Sequence, residues 1–267
     1  MPTIVNQGKV PVSAMPNILL LGGTTEASAL ARLLAERGAA ATISYAGRTA
    51  APRAQPISTR IGGFGGIAGL AAYLRDHRVT HLVDATHPFA AKISANAVGA
   101  ARAAGVAHAA LTRPAWEPAP GDEWTAVADI VSAVDALSGP ARRVMLALGR
   151  MHVEEFRAQP QHHYLLRFVD AQDQAPALPD HALVVDRGPF SIADDIRLLR
   201  EHAIDLVVCK NAGGSGAQAK VMAARELGLP MLMIARPALP ARREFHCPRE
   251  VIDWIAHPAS SGSERGV

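Results

Sequence analysis

Hydrophobic and polar positions along the chain alternate between two beats. Ile18 to Leu21 is an apolar run too short for a helix and closed by Gly22 and Gly23, so it reads as a buried strand and a tight turn. Behind it Leu30, Ala31, Leu33 and Leu34 recur at helical spacing, with Thr24 or Thr25 as the cap and Arg37-Gly38 as the stop. The same rhythm predicts strands over 41–46, 57–61, 81–85, 107–111 and 124–127, and helices over 67–77, 88–104 and 129–137. Ser138-Gly139-Pro140 is the best linker, and the rhythm then restarts. Strands are expected over 143–148, 164–169, 183–185, 205–209 and 231–235, with a helix over 217–227. Another helix begins at Ser191, has Asp194 at capping-box spacing and carries Ile192, Ile196 and Leu199 on one face. Strands alternating with helices twice over imply an α/β fold of two parallel-sheet lobes, 17–139 and 140–257, with a cleft between them. Residues 1–16, broken by Pro2, Pro11 and Pro16, are expected to form a flexible arm, and 258–267 a flexible tail.

Composition narrows the class. The 267 residues are 49% hydrophobic, enough for a substantial core, and the 4% aromatic content suits closely packed Ala-rich helices on a sheet. A net charge of +3 favours small acidic ligands over nucleic acid, which would call for a concentrated basic stripe. No apolar run reaches spanning length and residues 1–16 lack a signal-peptide core, so a cytoplasmic location without membrane contact is expected. Cys209 and Cys247 form no metal-ligand pattern; free thiols are the simplest account, with one disulfide as the alternative.

The candidate chemistry lies where strands end. Gly22 and Gly23 allow close backbone approach, and the free amides of the helix start behind Thr24, Thr25 and Glu26 suit a phosphate. A full G-x-G-x-x-G fingerprint is absent, so an ordinary strand–turn–helix unit is the plain alternative. The second strand ends in Gly47-Arg48-Thr49 with no acid. In a dinucleotide fold an arginine there accommodates the 2′-phosphate of NADP, which is preferred here over a solvated loop cation. Gly62-Gly63-Phe64-Gly65-Gly66 suggests close approach to a ligand or to the neighbouring turn, a flexible loop being the alternative. Asp84, Thr86 and His87 emerge at a strand's carboxyl end, where ligands of open α/β sheets bind. Arg113, Arg150, Arg187 and Lys210 also follow strands; Trp116 could lie against a flat ring or belong to a surface loop.

Gly22-Gly23-Thr24-Thr25-Glu26-Ala27, Ala46-Gly47-Arg48-Thr49, Asp84-Ala85-Thr86-His87-Pro88-Phe89-Ala90, Arg187-Gly188-Pro189-Phe190 and Lys210-Asn211-Ala212-Gly213-Gly214 occur in that order. From Asn17 to Pro237 the sequence resembles the precorrin-6A reductases of cobalamin biosynthesis. The resemblance implies two Rossmann-like lobes, NADPH as reductant and a tetrapyrrole with many carboxylates between the lobes. The reaction it implies reduces the C18–C19 double bond of precorrin-6A to give precorrin-6B. Gly22 to Glu26, Gly47, Gly63, Asp84, Thr86 and His87 would contact the cofactor, and Arg48 and Thr49 its 2′-phosphate. Arg113, Arg150, Arg187, Gly188, Lys210, Asn211, Gly213, Gly214 and Ser215 would face the substrate, some of the cations meeting its carboxylates. Ala212 stands where a small hydroxyl residue is expected in many relatives. Lys210, His87 and a bound water are the rival proton sources, and hand-over to other pathway enzymes is an expected partnership.

Other classes fit less well. Tyr45, Tyr73 and Tyr164 are followed four positions on by Thr49, His77 and Phe168, which removes the Tyr-x-x-x-Lys pair of short-chain reductases. The Gly213 loop supplies no Walker A lysine, and Ser215 lacks a nucleophile-elbow frame. A reductase acting on the cobalt-containing ring and a non-catalytic NADP-binding sensor or scaffold are the remaining alternatives.

Overall fold

The computed structural model describes residues 15–47, 54–168, 176–186, 188 and 190–257. Residues 1–14 of the arm expected at 1–16, the tail at 258–267, and the site candidates Arg48, Thr49 and Arg187 lie outside the described residues. The chain opens with β1 (Asn17–Leu21), α1 (Thr25–Glu36), β2 (Ala40–Tyr45), β3 (Ser58–Ile61), α2 (Gly66–Asp76), β4 (His81–Asp84), α3 (Ala91–Ala104) and β5 (Ala107–Leu111). It continues through β6 (Trp124–Val127), α4 (Ile130–Asp135), β7 (Arg143–Ala147), β8 (His163–Phe168), β9 (His181–Val185) and α5 (Ile192–Glu201). The last elements are β10 (Leu206–Lys210), α6 (Ala219–Leu227), β11 (Met231–Ile234), β12 (Glu244–Phe245) and α7 (Pro248–Ala256). Two short 3-10 turns, Arg150–His152 and Glu154–Ala158, follow β7.

The strands form two six-stranded sheets with all pairings parallel, in the orders β12-β5-β4-β1-β2-β3 and β6-β11-β10-β7-β8-β9. Both are doubly wound, reversing direction between β1 and β4 in the first and between β7 and β10 in the second. Strand period two explains the cores. Ile18 and Leu20 face the cluster with Leu30, Leu34 and Ile43, while Leu19 and Leu21 face the one with Leu70, Leu74 and Ala97. In the second sheet Val144 and Leu146 take one face and Met145 the other.

The sheets do not divide where the linker suggests. β6 pairs with β11, and α4 packs Ala133 and Val134 into the second lobe's core. In return β12 pairs with β5, and α7 buries Val251, Ile252 and Ile255 against the first lobe's core. The chain therefore crosses between Leu111 and Trp124 and crosses back between Ile234 and Glu244, so the division at 139–140 separates neither lobe. Each sheet takes its sixth strand from the other half of the chain.

Two local expectations need correction, and the expectation of free thiols holds. The helix expected from Pro88 starts at Ala91, because Ala90 N–H donates to His87 O (2.7 Å) and Phe89 N–H to His87 Nδ1 (3.2 Å), closing a turn first. On α5, Ser191 caps and Leu199 is buried as expected, but Ile192 is exposed and Asp195 is buried beside Leu199, paired with Arg167. Both cysteines are free, Cys209 buried in β10 and Cys247 exposed before α7. Among the described residues no helix is long and apolar enough to cross a membrane, and no cluster of His, Cys, Asp and Glu could hold a metal ion.

Candidate active site between the lobes

The register puts Leu21 opposite both Ser44 and Asp84, so the ends of β1, β2 and β4 are level. At this rim Gly22 N–H extends the ladder to Ser44 O at 2.9 Å. A Cβ on Gly22 would lie 2.7 Å from Ile43 Cδ1 and 3.1 Å from the Tyr45 ring, which explains the glycine. Gly23 turns at φ +136°, a backbone that L side chains avoid. Thr24 then does two jobs. Its Oγ1 accepts from Ala27 N–H (3.1 Å), capping α1, and donates to Ala85 O (2.9 Å), tying the turn to the end of β4. Thr25 Oγ1 donates to Glu26 Oε2 at 3.1 Å.

Asp84 is buried and engaged on every side: Thr86 N–H (3.1 Å), Thr86 Oγ1 (2.7 Å) and Arg242 Nη1 (2.9 Å) all donate to it. Asp84 and Thr86, expected at the cofactor, therefore anchor the returning chain, with Arg242 also bonded to Glu244 at 3.0 Å. Gly63 is similarly spent, its carbonyl accepting from Arg60 at 2.7 Å while that guanidinium lies 3.8 Å from the Phe64 ring centroid. The run itself is packed upon: a Cβ on Gly69, in the first turn of α2, would meet Phe64 O at 1.7 Å. Gly47 is an exposed turn at φ +78°.

His87 stands in the cleft among cations. Burial, and then the charges of Arg113, Lys210, Arg236 and Lys220, hold its pKa down to about 4. The ring is neutral at pH 7, and its Nδ1 accepts from Phe89 N–H, which leaves Nε2 as the N–H donor. Phe89 reaches across to the second lobe's core, and Lys210 Nζ lies 5.3 Å from its ring centroid. Arg113 Nη1 lies 3.6 Å from Glu26 Oε1. The fold thus gathers Glu26, His87, Arg113 and Lys210, which are far apart in sequence, at one place.

The loop after Lys210 is used differently from its expectation. Asn211 holds the backbone of Trp116 at both ends, accepting from its N–H (2.8 Å) and donating to its carbonyl (2.9 Å). Trp116 is buried, its indole N–H donating to Gly214 O at 2.9 Å, so it is not a surface platform for a ring. Gly213 and Gly214 sit at φ +68° and +71°. A Cβ on Gly213 would lie 2.0 Å from Pro114 O, and one on Gly214 would lie 2.4 Å from Arg113 Cδ. Asn211, Gly213 and Gly214, expected at the substrate, fasten the crossing segment. Ala212 is buried, so a hydroxyl there would face the core. Ser215, Arg150 and Gly188 are exposed.

Arg236 is the residue that sequence reading missed. Its guanidinium donates to Asn211 O (3.0 Å), Arg113 O (2.9 Å) and Ala212 O (3.1 Å), joining both segments. Its only signal was an arginine directly after a strand. Lys220, also missed, is a buried ammonium donating to Ala217 O at 2.7 Å, its pKa lowered by burial. A cavity of about 310 Å³ beside the site is lined by Pro88, Thr112, Arg236, Arg242 and Glu244, among others.

The family model "Precorrin-6x reductase CbiJ/CobK" matches residues 17–256. The chain belongs to that family. A precorrin-6A reductase of Rhodobacter capsulatus is 54% identical over 253 residues, covering 95% of this chain and 100% of the relative. One of Mycobacterium tuberculosis is 43% identical, covering 85% and 91%. A cobalt-precorrin-6A reductase of Priestia megaterium is 28% identical, covering 91% and 100%. A solved structure of "CobK precorrin-6A reductase" superposes with a TM-score of 0.87 at 52% identity, covering 92% of this chain and 98% of that one. This precorrin-6x reductase family member is accordingly an oxidoreductase, and its two-lobed α/β fold is that of the solved relative.

Proposed function

We propose that the protein reduces the C18–C19 double bond of precorrin-6A with NADPH, giving precorrin-6B. The observation that carries this is the meeting, in one cleft, of a glycine turn at a helix start and a group of cations suited to anionic groups. The residues fit a dinucleotide: nothing stands within 4 Å of where a Gly23 Cβ would be, and Thr24 caps the start of α1, where a helix favours an anion. NADPH, when bound, would supply the hydride; the protein supplies placement, charge and a proton. Gly22, Gly23, Thr24 and Thr25 would hold its phosphates, with Arg48 and Thr49 facing the 2′-phosphate and His87 beside the nicotinamide. A cavity near 310 Å³ is small beside a macrocycle, so the ring would lie across the open cleft.

The reduction adds hydride to one ring carbon and a proton to its neighbour. With its pKa near 4, His87 carries no imidazolium at neutral pH and would serve as a hydrogen-bond donor through Nε2. Lys210, at the end of β10, is then the side chain left to deliver the proton, with bound water as its competitor. The metal-free ring is preferred as substrate because the relatives named for it are 43–54% identical, against 28% for those named for the cobalt form. The test is anaerobic incubation with NADPH and precorrin-6A, following NADPH absorbance and product mass. Consumption of one NADPH per ring and a gain of two hydrogens are expected; binding of NADPH without oxidation would remove the reductase reading. Lys210→Ala with unchanged single-turnover reduction and substrate affinity would remove Lys210 from the mechanism.

A further inference from the structure

We propose that Arg113 is a clamp on the cofactor's phosphates, carried across the cleft and positioned by Arg236, and not a partner of the substrate's carboxylates; this rests on the dinucleotide site proposed above. Arg113 leaves the first sheet just after β5, on the crossing segment. Its guanidinium turns back toward the Gly22–Glu26 turn and ends 3.6 Å from Glu26 Oε1, an ion pair too long to be a hydrogen bond. Its Nε is buried with no hydrogen-bond partner. A buried guanidinium N–H without an acceptor is costly, and a fork of this kind is suited to two parallel bonds to an oxyanion. Glu26 is the second residue of α1, so the carboxylate that faces Arg113 stands at the helix start where a phosphate would bind. Glu26 is thus a place-holder: an arriving phosphate would take Arg113 from it.

The second lobe builds the arm's position. Arg236 Nη1 fixes the Arg113 carbonyl at 2.9 Å. Gly214 leaves the space that the Arg113 side chain crosses, since a Cβ there would come within 2.4 Å of Cδ and 3.4 Å of Cβ and Cγ. Asn211 locks the same segment three residues on, at Trp116. A ligand group of the first lobe is therefore set by loops of the second, and Lys210 is left for the ring.

The test is calorimetric titration of NADP+ into the full-length protein without substrate. Arg113→Gln is expected to weaken NADP+ by about 10- to 100-fold, the loss of a charge-assisted pair of hydrogen bonds. Arg113→Lys is expected to recover only part of this, because a point charge lacks the fork. Glu26→Gln is expected to tighten NADP+ by roughly threefold in the native background and to do nothing once Arg113 is Gln, the coupling expected of groups in contact. Arg236→Gln is expected to weaken NADP+ in the native background and to add nothing to Arg113→Gln. An unchanged NADP+ affinity in Arg113→Gln, above all with a raised KM for precorrin-6A, would overturn the clamp. So would equal effects of Glu26→Gln in both backgrounds. Failure of the native protein to bind NADP+ would instead overturn the dinucleotide site. If Arg113→Gln does not fold, as a melting curve would show, the Lys and Glu26 variants carry the test.

Discussion

Two glycine pairs follow two strands, one in each lobe, and they serve opposite ends. Beyond β1, Gly22 packs on Ile43 and Tyr45 while Gly23, with nothing within 4 Å of where a Cβ would stand, keeps room open in front of a capped helix. Gly213 and Gly214, beyond β10, let Pro114 and Arg113 press onto the loop and leave no room at all. Gly23 is the position where a change should cost binding as well as folding; Gly213 and Gly214 should cost folding first. A strand followed by glycines says that something comes close to the backbone, and only the three-dimensional neighbour says whether it is a ligand or another part of the chain.

That contrast can be broken at four points. Gly213→Ala should be the most damaging, combining a disfavoured φ of +68° with a Cβ 2.0 Å from Pro114 O. A loss of about 4 kcal/mol is expected in denaturant unfolding, from backbone strain and overpacking together. Next comes a pH effect on the rim between the two regions. His87 has its pKa lowered from 6.5 to about 4, so the unfolded chain binds the proton more tightly. The stability this neutral ring contributes is full above pH 6.5 and is lost as the pH falls from 6.5 to 4, amounting to about 3 kcal/mol. Unfolding curves across that window should show the slope, and His87→Gln should flatten it. Third, Asn211→Ala leaves the Trp116 N–H and carbonyl without their partner and should cost about 2 kcal/mol. Smallest is Thr24→Ala, which removes the cap of α1 at about 1 kcal/mol. If Thr24→Ala melts lower than Asn211→Ala while binding NADP+ normally, the division of labour between the two regions is wrong.

Much of this was legible in the residues. Apolar runs with glycine ends located eleven of the strands to within a residue or two, and Thr24 and Ser191 cap the helices they were expected to cap. What failed was partnership. Trp124–Val127 reads as a strand in any lobe; its pairing with β11 is a contact made more than a hundred residues away. β12 has two residues, too few for any period to show. α7 carried a usable signal that went unread, Pro248 at its first turn with Glu250 bonded back to the Cys247 N–H at 3.1 Å. For the site, the positions of His87 and Lys210 could be read from strand ends. The commitments of Asp84, Asn211 and Gly63 could not, because each is bonded to a group that sequence gives no reason to place beside it.

The exchange of outer strands also has a consequence during synthesis. Leu30 and Leu34 of α1 are covered in part by Val251, Ile252 and Ile255, and the outer edge of β5 is met by Glu244 and Phe245. These are made after every strand of the second sheet. The first lobe must therefore wait, with an apolar helix face and an unpaired strand edge, until the strands of the second sheet have been made. A growing chain in that condition is the form most exposed to aggregation or to capture by a chaperone, and the first lobe to emerge is the one that cannot close first.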